Sequence, residues 1–178
     1  LKKGYAGHQI LLCGESAGGG LIYALCLRLR QEGLELPCGL IGISPWVDLT
    51  GSGQSYETNR DNDPSLTQEL LEFYAKCYTD DPADPLCSPL FGDLTGFPPS
   101  LLFAGGDEIL LDDARALHEK LVQSGCRSML HIAPERWHAY VLYCLSENME
   151  EDMAAIDRFL TAYSAYLAKQ GGAERRTP

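Results

Sequence analysis

Gly14-Glu15-Ser16-Ala17-Gly18 stands between an apolar run, His8 to Cys13, and a helical pattern that follows it. A serine at a sharp strand-to-helix turn, with glycines on either side, holds its Oγ exposed above a sheet. The spacing therefore dictates local structure: a strand must enter, a helix must leave, and the serine between them must adopt an unusual backbone. The helix is visible in Leu21, Ile22, Ala24, Leu25 and Leu29, which recur at helical spacing until Gly33 ends the pattern. Gly18, Gly19 and Gly20 open it, and because glycine is a poor helix former, three in a row predict close packing or close approach of a ligand to the backbone there.

The same alternation continues along the chain. Apolar, strand-like runs at 9–13, 38–43, 100–105 and 127–133 alternate with helical patterns at 17–32, 66–78, 113–124 and 147–169. Strands separated by helices are the signature of an α/β fold with a mostly parallel sheet and crossover helices. Ser65 with Gln68 reads as a capping box for the second helix, and Asp112 or Asp113 as the cap of the third. The second helix carries Phe73, Tyr74 and Tyr78, an aromatic stripe that belongs either to the core or to the wall of a substrate passage. With 178 residues, 45% of them apolar and no internal repeat, the chain predicts one domain over 1–171, followed by a disordered tail at 172–178.

Serine chemistry needs a base and an acid, and both follow in order. The run Ser100 to Ala104 leads into Gly105-Gly106-Asp107-Glu108, which places two carboxylates just past the C-terminal end of a buried strand, where open α/β sheets put their working residues. After the last strand comes Trp137-His138-Ala139-Tyr140, in a loop able to bring an imidazole over the nucleophile. His8 precedes the first strand, His118 lies in a helical pattern and His131 sits inside a strand, so these three read as structural. The catalytic candidates are thus Ser16, His138, and Glu108 or Asp107.

Composition narrows the partners. A net charge of -11 argues against nucleic acid and anionic membrane surfaces, which reward clustered Lys and Arg. No apolar run approaches the length needed to span a bilayer. The seven cysteines, at 13, 26, 38, 77, 87, 126 and 144, are odd in number and lack C-x-x-C spacing, so neither a disulfide framework nor a zinc site is expected, and a reducing cytoplasm is the simplest setting. No metal or organic cofactor is implied.

Several stretches, in order, resemble the hormone-sensitive-lipase-like carboxylesterase branch of the α/β-hydrolases. Gly14-Glu15-Ser16-Ala17-Gly18-Gly19 is similar to its G-D-S-A-G-G elbow, and Ser44-Pro45-Trp46-Val47-Asp48-Leu49-Thr50 to its S-P-W-x-D-L-T segment. Ser88-Pro89-Leu90 and Phe97-Pro98-Pro99 are similar to its S-P-L and L-P-P stretches. The family's acidic motif, carboxylate-x-Leu-x-Asp, aligned on Leu110 and Asp112, puts Glu108 rather than Asp107 in the catalytic slot.

The resemblance implies an α/β-hydrolase fold and a serine carboxylesterase acting on short-chain acyl esters. Ser16, His138 and Glu108 would form the triad, and the Ala17 backbone N–H one oxyanion donor. It also implies a lid contribution from about 49–78, of which the polar stretch from Gly51 to Pro64 is part, and a homodimer through the edge strand 127–133. The family's His-Gly-Gly-Gly-type loop has no counterpart here, so the chain is expected to be the C-terminal portion of the fold. It would work with a missing N-terminal segment, in the same polypeptide or in a second chain. The rival readings are a non-catalytic small-molecule-binding hydrolase scaffold and an inactive fragment that needs its missing half.

Overall fold

The computed structural model describes residues 4–143 and 149–174. Its centre is a sheet of four strands, β1 Leu11–Glu15, β2 Gly39–Ile43, β3 Ser100–Gly105 and β4 Ser128–Ala133, lying side by side in chain order. All three pairings are parallel, with Glu15 opposite Ile43, Ile43 opposite Phe103 and Phe103 opposite His131. Parallel neighbours need crossovers, which fixes the helices between them. These are α1 Ala17–Gln31 after β1, α2 Ser55–Thr58 and α3 Gln68–Tyr78 between β2 and β3, α4 Leu111–Gln123 before β4, and α5 Met149–Glu174 after it.

Side chains alternate across a strand, so each strand serves two layers. On one face Leu40 and Leu102 meet Ile22, Tyr23, Cys26 and Leu27 of α1 and Leu117 and Leu121 of α4. On the other, Ile41, Ile43, Leu101 and Phe103 meet Ala155 and Phe159 of α5. β2 and β3 are buried throughout, whereas β1 and β4, which flank them, are half-buried or exposed apart from the buried Ala133. β4 takes the position at one side of the sheet that the sequence predicts for the last strand.

The termini of the helices show how local chemistry sets them. Gly33 has φ +66°, the Leu34 N–H reaches back to Leu29 O at 2.8 Å, and α1 stops there. Of the glycines that open α1, Gly20 sits against Trp46 O so tightly that a Cβ would overlap it, and Gly19 packs on Pro45. Close packing, not helix propensity, accounts for these two. The expected capping box does not form: α3 begins at Gln68 with Thr67 as its cap, accepting from Leu70 N–H at 3.2 Å, while the Ser65 hydroxyl donates to Asp63 at 2.6 Å. The Ser65 hydroxyl is turned to the Asp63 carboxylate two residues away, and the N–H donors of the helix end are left to Thr67.

The expected cap of α4 also fails. The helix starts at Leu111 with no side-chain cap. Asp113 turns inward instead, accepting from both Val47 and Asp48 N–H at 2.9 Å, and so ties α4 to the loop after β2. Asp112 accepts from Ser55 N–H. On α3 only Leu71 and Ala75 are buried, and the aromatic stripe stays outside the core, with Phe73 and Tyr78 each 59% exposed. α5 runs past its expected end to Glu174, beyond Gly171 and Gly172, and residues 175–178 of the expected tail lie outside the described residues. The six described cysteines are free thiols, and burial pushes Cys26 up to about 12; Cys144 lies outside the described residues. Among the described residues no helix is long and apolar enough to cross a membrane.

Asp113 makes stability depend on pH in a definite direction. Burial pushes its carboxyl from the ordinary 3.8 up to about 8, against the two backbone N–H groups that favour its charged form. Between those values the folded chain keeps a proton that the unfolded chain has released. The contribution is therefore fully present at low pH and is lost as pH rises towards 8, by about 1.4 kcal/mol per unit. Asp113→Asn removes the ionisation. Relative to this variant, the wild type should lose thermal stability steadily from about pH 4 to about pH 8 and level off above. A difference in melting midpoint that does not change with pH would contradict the assignment.

Candidate active site

The C-terminal ends of the parallel strands converge on one side of the sheet. At the end of β1, Ser16 has φ 54° and ψ -122°, a conformation costly for any residue with a Cβ. Three backbone bonds enforce it: Ser16 N–H to Ile43 O at 2.9 Å, and the Ser16 carbonyl accepting from Trp46 N–H at 3.0 Å and Gly20 N–H at 3.2 Å. The turn leaves the first N–H groups of α1, Ala17's among them, without a side-chain cap. Such orphan donors at a helix N-terminus are suited to a developing negative charge.

β3 ends at Gly105, and a loop carries Asp107 and Glu108 before α4. β4 ends at Ala133, and a second loop carries Arg136, Trp137 and His138. The two loops cross closely: a Cβ on Gly105 would overlap the carbonyls of Arg136 and Trp137, so only glycine allows the second loop to lie over the end of β3. The Gly106 N–H donates to Ala133 O at 2.7 Å and the Asp107 N–H to Arg136 O at 2.9 Å, which fastens the loops together.

This brings Glu108, not Asp107, to the histidine. Glu108 Oε2 lies 3.2 Å from His138 Nδ1, with Glu108 fully buried and His138 7% exposed. Asp107 is half-buried and takes part through its backbone. Burial pushes the Glu108 carboxyl up, while the His138 partner and the Ser44 hydroxyl pull part of the way back. Glu108 Oε1 makes no hydrogen bond of normal geometry among the described residues, although the Ser44 hydroxyl is near enough to favour the charged form. Ser44 itself accepts from Ala139 N–H at 2.9 Å, immediately after His138, where Ala139 holds φ 57°.

The other ring nitrogen, Nε2, faces Glu15 Oε1 at 3.7 Å, one residue before Ser16, so the imidazole stands over the elbow. Among the described residues Ser16 Oγ makes no hydrogen bond to that nitrogen. The remaining histidines have structural partners: His8 with Glu35, His118 with Ser128 Oγ at 2.9 Å, and His131 stacked on Phe103. Sequence reasoning passed over Ser44, Asn59 and Asp63. Ser44 follows a strand end much as Ser16 does and opens the Ser44-Pro45-Trp46 stretch, the two signals that pointed to it.

Beside Ser16 opens an apolar cavity of about 360 Å³, lined by Ala17, Leu21, Trp46, Leu71, Tyr74 and Tyr78 among others. Tyr74 and Tyr78, half of the choice left open for the aromatic stripe, thus stand in a cavity wall. Among the described residues no three His, Cys, Asp or Glu side chains are grouped to hold a metal ion.

Comparison with known proteins fits this geometry. Residues 2–142 match the model of a family described by its alpha/beta hydrolase fold. An esterase from Acinetobacter venetianus is 39% identical over 166 residues, which are 91% of this chain and 55% of that protein. An acetyl-hydrolase from Streptomyces hygroscopicus is 39% identical over 145 residues, 80% of this chain and 48% of that protein. The solved structure of an esterase from the bacterial hormone-sensitive lipase family superposes with a TM-score of 0.84 at 38% identity, covering 89% of this chain and 55% of that one. A metagenomic hormone-sensitive lipase homologue, EstE7, gives 0.86 at 32% identity, over 92% and 57%. The chain spans about half the length of the curated relatives it matches. It belongs to the α/β-hydrolase family, in the hormone-sensitive-lipase-like branch.

Proposed function

We propose that this α/β-hydrolase chain carries the triad of a serine carboxylesterase, with Ser16 as nucleophile, His138 as base and Glu108 as acid. The single observation that carries the reading is the buried Glu108–His138 pair at 3.2 Å, standing over a strained serine at a helix N-terminus. In this mechanism Nε2 takes the Ser16 proton as Oγ bonds to the ester carbonyl carbon, and the Ala17 N–H donates to the oxyanion. His138 returns the proton to the leaving alkoxide as the ester C–O bond breaks, which leaves an acyl-serine. Water then gives Nε2 a proton as its oxygen bonds to the acyl carbon, and His138 passes that proton to Ser16 Oγ as the acyl C–Oγ bond breaks, which releases the acid and regenerates Ser16. Glu108 orients the ring and stabilises the imidazolium without taking its proton.

The small apolar cavity beside Ser16 supports short acyl chains as substrates, with α3 contributing a lid-side wall. The relatives named esterase and acetyl-hydrolase support the same class. Because those relatives are about twice as long, this reading includes a further segment, in the same polypeptide or as a second chain. It would pair along β1 and supply the remaining oxyanion donors. The six free thiols among the described residues suit a reducing, cytoplasmic setting.

Ser16→Ala and His138→Ala should each lower kcat by about 10⁴-fold or more while leaving the fold intact. Glu108→Gln should cost about 10⁴-fold, whereas Asp107→Asn should stay within about threefold of the wild type. Steady-state kinetics on a chromogenic short-chain ester measures all four. Turnover that survives Ser16→Ala, or an Asp107→Asn loss larger than that of Glu108→Gln, would contradict the assignment.

The same reading makes the protein a homodimer through β4. Among the described residues this strand pairs only with β3, and it exposes Met129 and Ile132. Light scattering behind a sizing column should give twice the monomer mass at micromolar concentration; a monomer there would remove the dimer.

A further inference from the structure

The excursion between β2 and α3 contains a set of side chains aimed at the loop that carries Glu108. Ser55 donates its hydroxyl to Ile109 O at 2.7 Å and accepts from Asp112 N–H at 3.0 Å. Asn59 Nδ2 donates to Gly106 O at 3.0 Å and to Glu108 O at 2.9 Å. Asp63 Oδ2 accepts from Ile109 N–H at 3.0 Å, while its Oδ1 takes Ser65 N–H and the Ser65 hydroxyl. The Glu108 carbonyl and the Ile109 N–H belong to one peptide unit. That unit is therefore gripped at both polar atoms, the oxygen by Asn59 together with a longer 3.3 Å bond from Leu111 N–H, and the hydrogen by Asp63.

This grip bears on the acid because it acts on the peptide from which the side chain springs, whereas the other bonds of the loop hold its neighbours Gly106 and Asp107. The Glu108 carboxylate has one hydrogen bond of normal geometry, to His138, and lies in a fully buried position. Its direction thus depends on the backbone from which the side chain springs. A peptide plane free to rotate would swing Oε2 away from Nδ1, and an error of about 1 Å at such a contact costs on the order of 10²-fold in rate. Asp63 is itself buried, and its negative charge pushes the Glu108 carboxyl further up, so it acts on the acid through space as well as through the peptide.

We propose that Asn59 and Asp63 are positioning residues that hold Glu108 in line with His138, so that the polar excursion acts as a brace on the acid loop. The proposal rests on the triad reading above, and its test separates the two. Asn59→Ala and the isosteric Asn59→Asp, which removes the donor, are compared with Asn59 intact in both wild-type and Glu108→Gln backgrounds. Asn62→Ala, an exposed neighbour, serves as control.

In the wild-type background kcat should fall about 10- to 100-fold with KM held within about twofold. In the Glu108→Gln background the same changes should add less than about threefold, because they act through the acid. The downfield proton resonance of His138 Nδ1–H, which needs no turnover, should shift or broaden in both Asn59 variants and stay in place in the control. Unchanged kcat and resonance, or equal losses in both backgrounds, would overturn the brace. So would global unfolding of both variants, which would make the grip a support of the fold and not of the acid. If wild-type turnover survives Ser16→Ala, the triad reading fails instead, and the resonance still reports whether Asn59 sets the Glu108–His138 geometry.

Discussion

Everything in this molecule depends on four strands running the same way. A parallel sheet sends every chain segment that leaves a strand out on one side, so residues far apart in sequence, 16, 44, 106–108 and 134–138, are delivered to one rim. The register sharpens this. Glu15, Ile43, Phe103 and His131 share a row across the sheet, and the working residues lie in the turns just beyond it. Two buried layers hold the row in place, α1 and α4 on one face and α5 on the other. Backbone hydrogen bonds between the turns then lock the rim, with Ser16, Ile43 and Trp46 joined on one side and Gly106, Ala133, Asp107 and Arg136 on the other.

That arrangement places carboxyl groups where burial is costly, and each of four has at least one partnered oxygen. Glu108 is buried against His138. Asp113 is buried under two backbone N–H donors, and Asp48 takes the N–H and hydroxyl of both Thr50 and Ser52. Asp63 closes a turn and at the same time holds Ile109. The loops of the rim are therefore fixed largely by carboxyl groups accepting backbone N–H groups, an arrangement that tolerates few substitutions because a methyl leaves buried donors unpaired.

Much of this could be read from residue order. Hydrophobic runs bounded by turn residues located all four strands within about two residues at each end, since β2 and β3 are buried on both faces and β1 and β4 are partly buried. Gly14-Glu15-Ser16-Ala17-Gly18 gave the turn, because few sequences satisfy that backbone, and Leu110 with Asp112 picked Glu108 over Asp107 for the place beside His138. What escaped were contacts between side chains and distant backbone. Asp113 looks like a helix cap and instead holds Val47, 66 positions away; Ser65 looks like a cap and instead serves Asp63. Asn59 to Glu108 spans 49 positions. Periodicity reports which face a residue turns inward, but not which backbone group it meets there. The aromatic stripe of α3 was left between two readings, because helical spacing announces an apolar face without saying what it meets: Tyr74 and Tyr78 border the cavity beside Ser16, and Phe73 is exposed.

The central claim is that Ser16 is made nucleophilic by the histidine held over it, and covalent labelling asks this directly. A serine-reactive alkyl phosphonate should add one equivalent to the protein, and peptide mapping by mass spectrometry should place it on Ser16. Replacing His138 with alanine should slow the addition by orders of magnitude while leaving other serines as inert as before. An adduct on a different serine, or labelling of Ser16 at the same rate without His138, would contradict the account.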